Sequence, residues 1–476
     1  MREFDLIVIG SGPSGEKGAA QAAYFGKRVA IVEKAPHPGG TTANTGTLPS
    51  KTLRETALSL TGYRQRGLYG FDLRLKERVT VADLLIRSEA VSNAERERVY
   101  RNLERHGIEL IRGTATFVDR ATLRVESAAG GEEMLTAPVI LIATGSVPNR
   151  PSEYPFDGHV VLDSDDLMKL DFMPKRMAVL GAGVVGCEYA SIFAALDVEV
   201  TLVDKRNELL GFLDQEISSA LGRRLEQLGV RLRLGTNVQK VSVVDHTAHL
   251  VLEGGEVIET DHVLVAAGRQ GGVEKLNLGA AGLEADRRGV IAVDANYRTK
   301  VEGIYAAGDV VGWPSLASVS MEQARLAICH AFHFDYKSSL APVLPLGIYT
   351  VPEVSAAGET EVTAAEKGIP YEIGRSSFGT NARGLIIGET EGFLKLIFRT
   401  DDRTLLGVHV IGEGATELIH VGLTALQQRS KIDLFIDAVY NYPTMTEAYK
   451  YAAYDGLGRL ARRRVFEEGG GAVTSG

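Results

Sequence analysis

Two glycine-rich turns of the same design constrain the fold of this chain more than any other feature. The first turn is Gly10-Ser11-Gly12-Pro13-Ser14-Gly15, and the second is Gly181-Ala182-Gly183-Val184-Val185-Gly186. Each turn follows a short apolar segment, opens an alanine-rich segment, and leads to a second apolar segment. That second segment ends in an acid both times, at Glu33 and at Asp204. The repeated pattern predicts two strand–turn–helix–strand units of the dinucleotide-binding type.

Each part of this pattern has a physical reason. The first glycine permits a tight turn, the second lets the backbone approach a pyrophosphate, and the third lets helix and strand pack closely. The helix N-terminus supplies partial positive charge to the phosphates, and the acid accepts hydrogen bonds from a ribose hydroxyl. Two complete patterns in one chain predict two dinucleotide sites, and therefore electron transfer between two cofactors.

Composition indicates an ordinary globular protein of about three domains. The chain has 476 residues, 45% of them hydrophobic and 24% charged, and its formal net charge of −9 argues against nucleic acid as a partner. No apolar run is long enough to span a bilayer, and the first apolar segment begins too early to leave room for a signal peptide. We therefore predict a cytoplasmic protein.

Cysteines and histidines give no sign of a structural bridge or a metal. Cys187 and Cys329 lie far apart, in segments of helical character. We expect each to be a small buried side chain rather than half of a disulfide, as is usual in a reducing cytoplasm. The ten histidines show no spacing typical of metal ligands, so no metal site is predicted.

The order of motifs along the chain predicts its domains. A proline-rich link at Pro148, Pro151 and Pro155 marks a boundary after the first unit, and the second turn opens the next unit. We predict an α/β fold with two Rossmann-like dinucleotide-binding domains and a C-terminal α+β domain. The predicted domains are residues 1–150 with 278–345, residues 151–277 and residues 346–465, followed by a disordered tail over 466–476.

Apolar periodicity predicts further elements of the two kinds. The predicted helices span Thr80–Gly107, Ser318–Phe332, Thr416–Gln428 and Ile432–Val439. The predicted strands include Val139–Ile142, His262–Val265, Phe393–Arg399 and Leu405–Ile411.

With further motifs, the chain resembles the flavoprotein disulfide reductases, a family with two dinucleotide-binding domains. The additional motifs are Gly39-Gly40-Thr41, Pro49-Ser50-Lys51, Ala143-Thr144-Gly145-Ser146, Ala266-Ala267-Gly268-Arg269, Ala306-Ala307-Gly308-Asp309, and Tyr442-Pro443-Thr444 with Glu447. The resemblance covers nearly the whole chain. It implies FAD at the first turn, NAD(H) or NADP(H) at the second, and a homodimer or larger homo-oligomer formed through the C-terminal domain.

The resemblance also implies which residues hold each nucleotide. For FAD they are Gly10, Gly12, Pro13, Ser14, Gly15, Glu33, Lys34, Gly40, Thr41, Thr42, Gly46, Thr47, Lys51, Ala115, Ala143, Thr144, Gly145, Ser146, Asp309, Leu316 and Ala317. For the nicotinamide nucleotide they are Gly181, Gly183, Val184, Val185, Gly186, Asp204, Lys205, Arg206 and Gly268. The implied catalytic residues are Lys51 and Glu188, paired near the flavin N5 edge, with Thr47 over the flavin and Tyr442 and Glu447 reaching the partner subunit's flavin site.

Departures from the family pattern change the predicted chemistry. Thr42 and Thr47 occupy the positions of the family's redox cysteines, and Tyr442 occupies the position of its C-terminal histidine. A dithiol relay needs thiolates and a proton-shuttling base, and neither threonine nor tyrosine provides these near neutral pH. We therefore expect this chain not to reduce disulfides.

Without a dithiol, hydride that enters at the second site must return through it. The motifs are most similar to those of family members that exchange hydride between nicotinamide nucleotides, so we predict an FAD-dependent NAD(P)⁺ transhydrogenase. Two alternatives stay open: an NAD(P)H dehydrogenase that reduces a quinone, oxygen or another small acceptor, and a non-catalytic flavoprotein partner. The nucleotide preference is also open, because Asp204 favours a free 2′-hydroxyl whereas Lys205 and Arg206 can neutralise a 2′-phosphate.

Overall fold

The structure is a computed structural model that describes residues 1–65, 68, 79–170 and 172–469. The chain divides into two compact units. Unit 1 comprises residues 1–56, 80–173 and 265–340, and unit 2 comprises residues 57–79, 174–264 and 341–476. Among the described residues, no helix combines the length and apolar character needed to cross a membrane.

The described chain contains 24 strands, several of which follow one another without a helix between them. In chain order they are β1 (Arg2–Glu3), β2 (Leu6–Ile9), β3 (Val29–Glu33), β4 (Glu109–Arg112), β5 (Thr114–Phe117), β6 (Thr122–Glu126), β7 (Glu132–Thr136), β8 (Val139–Ile142), β9 (Ser146–Pro148), β10 (Val161–Leu162), β11 (Arg176–Leu180), β12 (Glu199–Asp204), β13 (Arg231–Leu234), β14 (Val238–Val244), β15 (Thr247–Leu252), β16 (Val257–Thr260), β17 (His262–Val265), β18 (Arg269–Gly271), β19 (Ile304–Ala306), β20 (Leu346–Ile348), β21 (Val354–Gly358), β22 (Tyr371–Ser377), β23 (Phe393–Arg399) and β24 (Leu405–Ile411).

The α-helices are α1 (Pro13–Tyr24), α2 (Gly40–Asn44), α3 (Thr47–Leu60), α4 (Val81–Arg105), α5 (Val184–Ala195), α6 (Gln215–Gln227), α7 (Ala317–Phe332), α8 (Glu361–Glu366), α9 (Ala382–Ile387), α10 (Ala415–Gln427), α11 (Asp433–Asp437) and α12 (Glu447–Gly469). Short 3₁₀ turns lie at Tyr63–Gln65, Asp166–Lys169, Leu278–Ala281, Asp309–Val311 and Phe378–Thr380.

Unit 1 is built on a parallel sheet with the strand order β19-β8-β2-β3-β4. The strands β2, β3 and β8 are buried along their whole length, as expected for a parallel sheet covered on both faces. Helices α1 and α7 pack together on one face through small residues. A Cβ on Gly18 would lie 2.6 Å from Leu141 Cδ2 and 3.3 Å from Ala324 Cβ, so only glycine allows this close approach.

A second sheet of unit 1 has the order β1-β7-β6-β5. Its inward side chains alternate along each strand, and Phe117, Leu123 and Leu135 join one core with residues of the parallel sheet. This arrangement fixes the carboxyl ends of β2, β3 and β8, where the first glycine-rich turn lies.

Unit 2 repeats the dinucleotide-binding pattern. Strands β17, β11, β12 and β13 are neighbours in that order, and β11–β12 and β12–β13 are parallel pairs. Helix α5 is apolar on all sides and is buried from Gly186 to Ala195. The antiparallel strands β14, β15 and β16 form a separate small sheet.

The C-terminal part of unit 2 is an antiparallel sheet of order β20-β21-β24-β23-β22. Helices α10 and α12 cover it, and its core includes Phe398, Val408, Ile419 and Tyr449. The α+β character predicted for this region is therefore observed.

The predicted element boundaries agree closely with the structure, with two differences. Strands β17, β23 and β24 have the predicted limits, but the helix predicted over Ile432–Val439 is only α11, because Ala438 adopts an extended backbone with ψ 145°. Helix α12 continues to Gly469, so residues 466–469 of the predicted tail are helical. Residues 470–476 lie outside the described residues.

The two units also differ from the three predicted domains. Residues 151–173 and 265–277 of the predicted middle domain belong to unit 1, and the remainder joins the C-terminal sheet in unit 2.

Candidate functional site

Unit 1 contains a cavity of about 410 Å³ at the carboxyl ends of β2, β3 and β8. This edge of a parallel sheet is where nucleotides bind in doubly wound folds. Most of the residues predicted to hold FAD line it: Gly10, Gly12, Pro13, Ser14, Glu33, Lys34, Gly40, Thr41, Thr42, Thr47, Ala115, Ala143, Thr144, Gly145, Ser146, Asp309 and Ala317.

Gly10 and Gly15 of the first turn, and Gly40 beside it, leave no room for a side chain. Gly10 has φ +101°, and a Cβ there would lie 2.4 Å from Ala143 O. A Cβ on Gly15 would lie 1.9 Å from Gly10 O, and one on Gly40 would lie 2.7 Å from Gly12 Cα. The backbone of the turn and the start of α2 therefore form a close-packed wall that another residue type would push apart.

Glu33 is held at the end of β3 by the first turn. Its Oε2 accepts hydrogen bonds from Ser11 N at 2.9 Å and Ser11 Oγ at 2.5 Å, and its Oε1 accepts one from Ala35 N at 2.7 Å. A carboxylate can accept about four hydrogen bonds, so one position on Oε1 stays open to a ribose hydroxyl.

Ser146 and Asp309 of the cavity lining belong to a hydrogen-bonded chain of polar groups. Ser146 Oγ donates to Asp309 Oδ2 at 2.6 Å, while Arg269 donates from Nε to Ser146 Oγ at 2.8 Å and from Nη2 to Ser146 O at 2.8 Å. Arg269 Nη1 lies 3.6 Å from Asp165 Oδ1. Burial raises the pKa of Asp165, and the nearby guanidinium of Arg269 only partly offsets this.

Four residues predicted to hold FAD are not among the described lining residues: Gly15, Gly46, Lys51 and Leu316. Gly15 and Gly46 instead provide close packing behind the wall, since a Cβ on Gly46 would lie 2.7 Å from Thr41 Cγ2. Helix α3 begins at Thr47, so Pro49 lies within it and Lys51 lies in its second turn. Leu316 caps the N-terminus of α7.

Other residues that line the cavity were not predicted from the sequence, notably Ser11, Asp165, Gly271, Gly272 and Ser320. Ser11 lies inside the first turn and its bonds to Glu33 could have been inferred from that position. Asp165 belongs to no recognisable sequence motif, and it reaches the cavity only through the folding of the chain.

The second glycine-rich turn, in unit 2, has the same geometry as the first. Gly181 has φ +115°, and a Cβ on Gly186 would lie 1.8 Å from Gly181 O. Gly183 caps α5, which starts with Val184 and Val185. The first glycine N–H of each turn donates to the residue before the acid, from Gly10 to Val32 O and from Gly181 to Val203 O, both at 2.8 Å.

Asp204, the acid of the second turn, pairs with a neighbouring arginine. Arg206 Nε lies 3.0 Å from Asp204 Oδ1 and Arg206 Nη2 lies 2.7 Å from Oδ2, and Ala182 N donates to Oδ2 at 2.6 Å. Burial alone would raise the pKa of Asp204, but these hydrogen bonds outweigh burial and lower it. Lys205 is exposed.

Buried groups on α5 have defined partners or environments. Glu188 is 4% exposed, and its Oε1 accepts a hydrogen bond from Tyr349 N at 2.9 Å. Cys187 is buried, and burial raises the pKa of its thiol to about 12. Cys329 is also a buried free thiol, as the sequence predicts for both cysteines.

The remaining predicted site residues lie apart from these turns in sequence. Tyr442 is 75% exposed, and Glu447 begins α12. Gly268 has φ +91° and belongs to unit 1, where its carbonyl accepts a hydrogen bond from Asn149 N at 3.0 Å.

Comparison with known proteins identifies the class to which this fold and these turns belong. Residues 4–324 match the pyridine nucleotide-disulphide oxidoreductase family, and residues 344–453 match the dimerisation domain of the same family. The chain belongs to this family and is an FAD-dependent oxidoreductase that uses NAD(P)H. The dimerisation domain supports the predicted homodimer.

Individual relatives extend over the whole chain. A soluble pyridine nucleotide transhydrogenase of Mycobacterium bovis is 47% identical over 467 residues, covering 98% of this chain and 100% of that protein. One from Photorhabdus laumondii is 40% identical, covering 96% of this chain and 99% of its own length. Among solved structures, LpdA from Mycobacterium tuberculosis has a TM-score of 0.87 at 25% identity, covering 95% of this chain and 99% of its own.

The cavity in unit 1 fits FAD on structural grounds. Thr144 Oγ1 and Asp165 Oδ1 are buried polar atoms of its lining that make no hydrogen bond within the described chain, although Arg269 Nη1 lies 3.6 Å from Asp165 Oδ1. Buried polar groups are nearly always satisfied, so these atoms indicate a polar ligand. The glycine wall and the open position on Glu33 Oε1 suit the pyrophosphate and ribose of a dinucleotide.

Proposed function

We propose that this chain is a cytoplasmic FAD-dependent transhydrogenase that moves hydride between NADPH or NADH and NAD(P)⁺. One observation carries the proposal: both dinucleotide turns have intact geometry, while threonines and a tyrosine replace the dithiol relay and its base. Hydride that arrives from one nicotinamide then has no sulfur route out. The soluble transhydrogenases that share 40–47% identity with the chain support the same activity.

The residues of unit 1 hold and orient the cofactor. Glu33 accepts a hydrogen bond from the adenosine ribose, and the first turn provides N–H groups for the pyrophosphate. Asp309, fixed by Ser146 at 2.6 Å, binds the ribityl hydroxyls. FAD, when bound, supplies the group that accepts a hydride and returns it to a second nucleotide.

We assign roles to the catalytic candidates on the same basis. Lys51 provides a positive charge toward the flavin, and Glu188 is held in place by the Tyr349 N–H. Thr47 lines the cavity where the family has a thiol and contributes shape rather than redox chemistry. Tyr442 and Glu447 belong to the matched dimerisation segment and would act at the partner subunit's flavin site.

The nucleotide binds at the second turn. The N-terminus of α5 and the backbone of Gly181 and Gly183 receive its pyrophosphate, and Asp204 faces its adenosine ribose. The proposed domain roles follow: residues 1–150 with 278–345 bind FAD, residues 151–277 bind the nicotinamide nucleotide, and residues 346–465 form the dimer. Asp165, Gly271 and Gly272 of the middle segment also line the FAD cavity.

The test is a coupled assay on protein whose FAD content has been measured. NADPH serves as donor, and an NAD⁺ analogue with a distinct reduced absorbance serves as acceptor. Rapid transfer with parallel double-reciprocal plots, which indicate ping-pong exchange, supports the proposal. If NADPH bleaches the flavin absorbance and only a quinone or oxygen restores it, the dehydrogenase alternative is established instead. Unchanged flavin absorbance with either donor would establish the non-catalytic partner.

A pair of lysine variants tests the assignment of Lys51. Lys51→Met should lower kcat by about tenfold or more, because it removes a positive charge that acts on the flavin. The FAD content should stay at the wild-type value, because Lys51 is not among the described residues that line the cavity. Lys300→Met is the control, since Lys300 pairs with exposed Glu284 on the surface of the same unit. Equal rates in the two variants would reject a role for Lys51.

A further inference from the structure

The carboxylate of Asp204 has no acceptor position left for a ribose. Its Oδ1 accepts from Arg206 N at 2.8 Å and Arg206 Nε at 3.0 Å, and its Oδ2 accepts from Ala182 N at 2.6 Å and Arg206 Nη2 at 2.7 Å. These are four hydrogen bonds, the full capacity of a carboxylate. The acid that should recognise a ribose 2′-hydroxyl is therefore occupied by the protein itself.

The first turn provides an internal comparison. Glu33 accepts three hydrogen bonds, from Ser11 N, Ser11 Oγ and Ala35 N, and keeps one position open. At the second turn Ala182 takes the place of Ser11 and has no hydroxyl, and an arginine side chain supplies two bonds instead. The two acids share their place in the fold, but only Asp204 is covered by a half-exposed arginine side chain.

The side chain of Arg206 can change its partner without a change in its backbone. Its N–H donates to Asp204 Oδ1 at 2.8 Å and its carbonyl accepts from Gly235 N at 2.9 Å, so the backbone is fixed on both sides. The Arg206 side chain is 51% exposed whereas that of Asp204 is 6% exposed. Rotation about the arginine side chain can release two carboxylate positions without disturbing the turn.

We propose that Arg206 is a nucleotide-selectivity gate at the second turn. With NAD(H), its guanidinium leaves Asp204 and the freed carboxylate accepts the 2′-hydroxyl. With NADP(H), the released guanidinium binds the 2′-phosphate and neutralises it, which a lone carboxylate would repel. One side chain thus lets a single site accept both nucleotides. This inference rests on the proposed function, because it concerns the same site.

Binding of NAD⁺ and NADP⁺ to the FAD-loaded protein tests the gate by calorimetry. The two nucleotides differ only in the 2′-phosphate, and neither reacts with oxidised enzyme. Arg206→Ala should weaken NADP⁺ binding about tenfold to a hundredfold, the worth of a charge-assisted contact. The same variant should tighten NAD⁺ binding about threefold or more, because the acid no longer has to release the arginine. Equal changes for both nucleotides would overturn the proposal.

Two neighbouring variants sharpen the result. Lys205→Ala removes the same charge one residue earlier and should change the NAD⁺/NADP⁺ affinity ratio by less than Arg206→Ala does. If it changes the ratio as much, the effect is one of general charge and the gate is rejected.

Asp204→Asn should weaken the binding of NAD⁺ and leave the binding of NADP⁺ unchanged, because it removes the carboxylate and frees the guanidinium of Arg206. Loss of both affinities in that variant would count against the gate.

The inference and the proposed function fail in different ways. If wild-type protein transfers hydride between nucleotides but Arg206→Ala leaves the NAD⁺/NADP⁺ affinity ratio unchanged, the gate is wrong and the function stands. If Arg206→Ala shifts that ratio but wild-type protein transfers no hydride, the gate stands and the function is wrong.

Discussion

Lys395 Nζ lies 2.8 Å from Asp214 Oδ1, and both side chains are fully buried within unit 2. Glu216 Oε2 is 3.2 Å from the same ammonium, and Glu361 is in contact with it as well. Asp214, Glu216 and Glu361 are close enough together to hold a metal ion, but the ammonium of Lys395 already contacts all three, and Arg375 also pairs with Glu216 at 2.7 Å. Asp214 also caps α6, so this ion pair ties β23 to the start of that helix.

Removal of Lys395 should strongly destabilise the protein. Lys395→Ala leaves a buried carboxylate without its partner, which typically costs about 3–5 kcal/mol of the free energy of unfolding. We expect a much lower urea concentration at the midpoint of unfolding, measured by circular dichroism. Arg399→Ala is the control on the same strand, because Arg399 forms an exposed pair with Asp401. Its midpoint should stay close to that of the wild type, and equal losses in the two variants would contradict this account.

A methyl group at Gly15 should abolish FAD binding. Its Cβ would lie 1.9 Å from Gly10 O, so the first turn must open and lose the geometry that receives a pyrophosphate. Gly15→Ala protein should be purified with less than about a tenth of the wild-type flavin absorbance. Gly279→Ala is the matched control, because a Cβ on Gly279 meets nothing within 4 Å. Full flavin content in Gly15→Ala would show that the turn does not bind the cofactor.

Thiol reagents should leave the native enzyme active. Both cysteines are buried, and burial raises the pKa of Cys187 to about 12, so almost no thiolate exists at pH 8. Iodoacetamide at that pH should alkylate neither cysteine and leave hydride transfer unchanged. After denaturation, a thiol titration should count the two cysteines of the sequence. Inactivation that parallels loss of one thiol in the native protein would reveal a reactive cysteine.

Local requirements explain what the sequence could predict. Gly15 and Gly186 are needed because a Cβ would strike the backbone of the same turn, and Gly10 and Gly181 are needed because their φ is positive. Both requirements are local to the six residues of each turn, so the sequence shows them. The apolar strands β23 and β24 could likewise be delimited by their own residues. Helix α11 was overestimated because periodicity continued past Asp437 while the backbone of Ala438 became extended.

Long-range pairs explain what the sequence could not predict. Lys395 and Asp214 are 181 residues apart, and each looks like an ordinary surface charge in the sequence. The saturation of Asp204 by Arg206 is a matter of side-chain geometry, since two adjacent charges can face each other or face water. Asp165 has no motif, and the cavity it lines is assembled from distant segments of the chain.

Asp165 should make the stability of the FAD-free protein depend on pH in a recognisable direction. Burial raises its pKa in the folded state, so the neutral acid is favoured there. The stability that this preference contributes is full below the ordinary carboxyl pKa of about 4 and is lost as the pH rises through the higher folded pKa. Asp165→Asn keeps a neutral side chain at every pH. Its melting temperature should therefore match the wild type near pH 4 and exceed it near pH 7.

Asp261 provides a control of opposite sign. Its carboxylate accepts hydrogen bonds from Lys175 N at 2.7 Å and Arg176 N at 3.0 Å, and these outweigh burial and lower its pKa. The stability it contributes is present above the ordinary carboxyl pKa and is lost as the pH falls through the lower folded pKa. Asp261→Asn should thus melt below the wild type near pH 7, and the gap should narrow on acidification. For Asp165, the contrary result would be melting temperatures of Asp165→Asn and wild type that change in parallel with pH. The ionised carboxylate of Asp165 would then cost no stability in the folded state, because Arg269 compensates its charge.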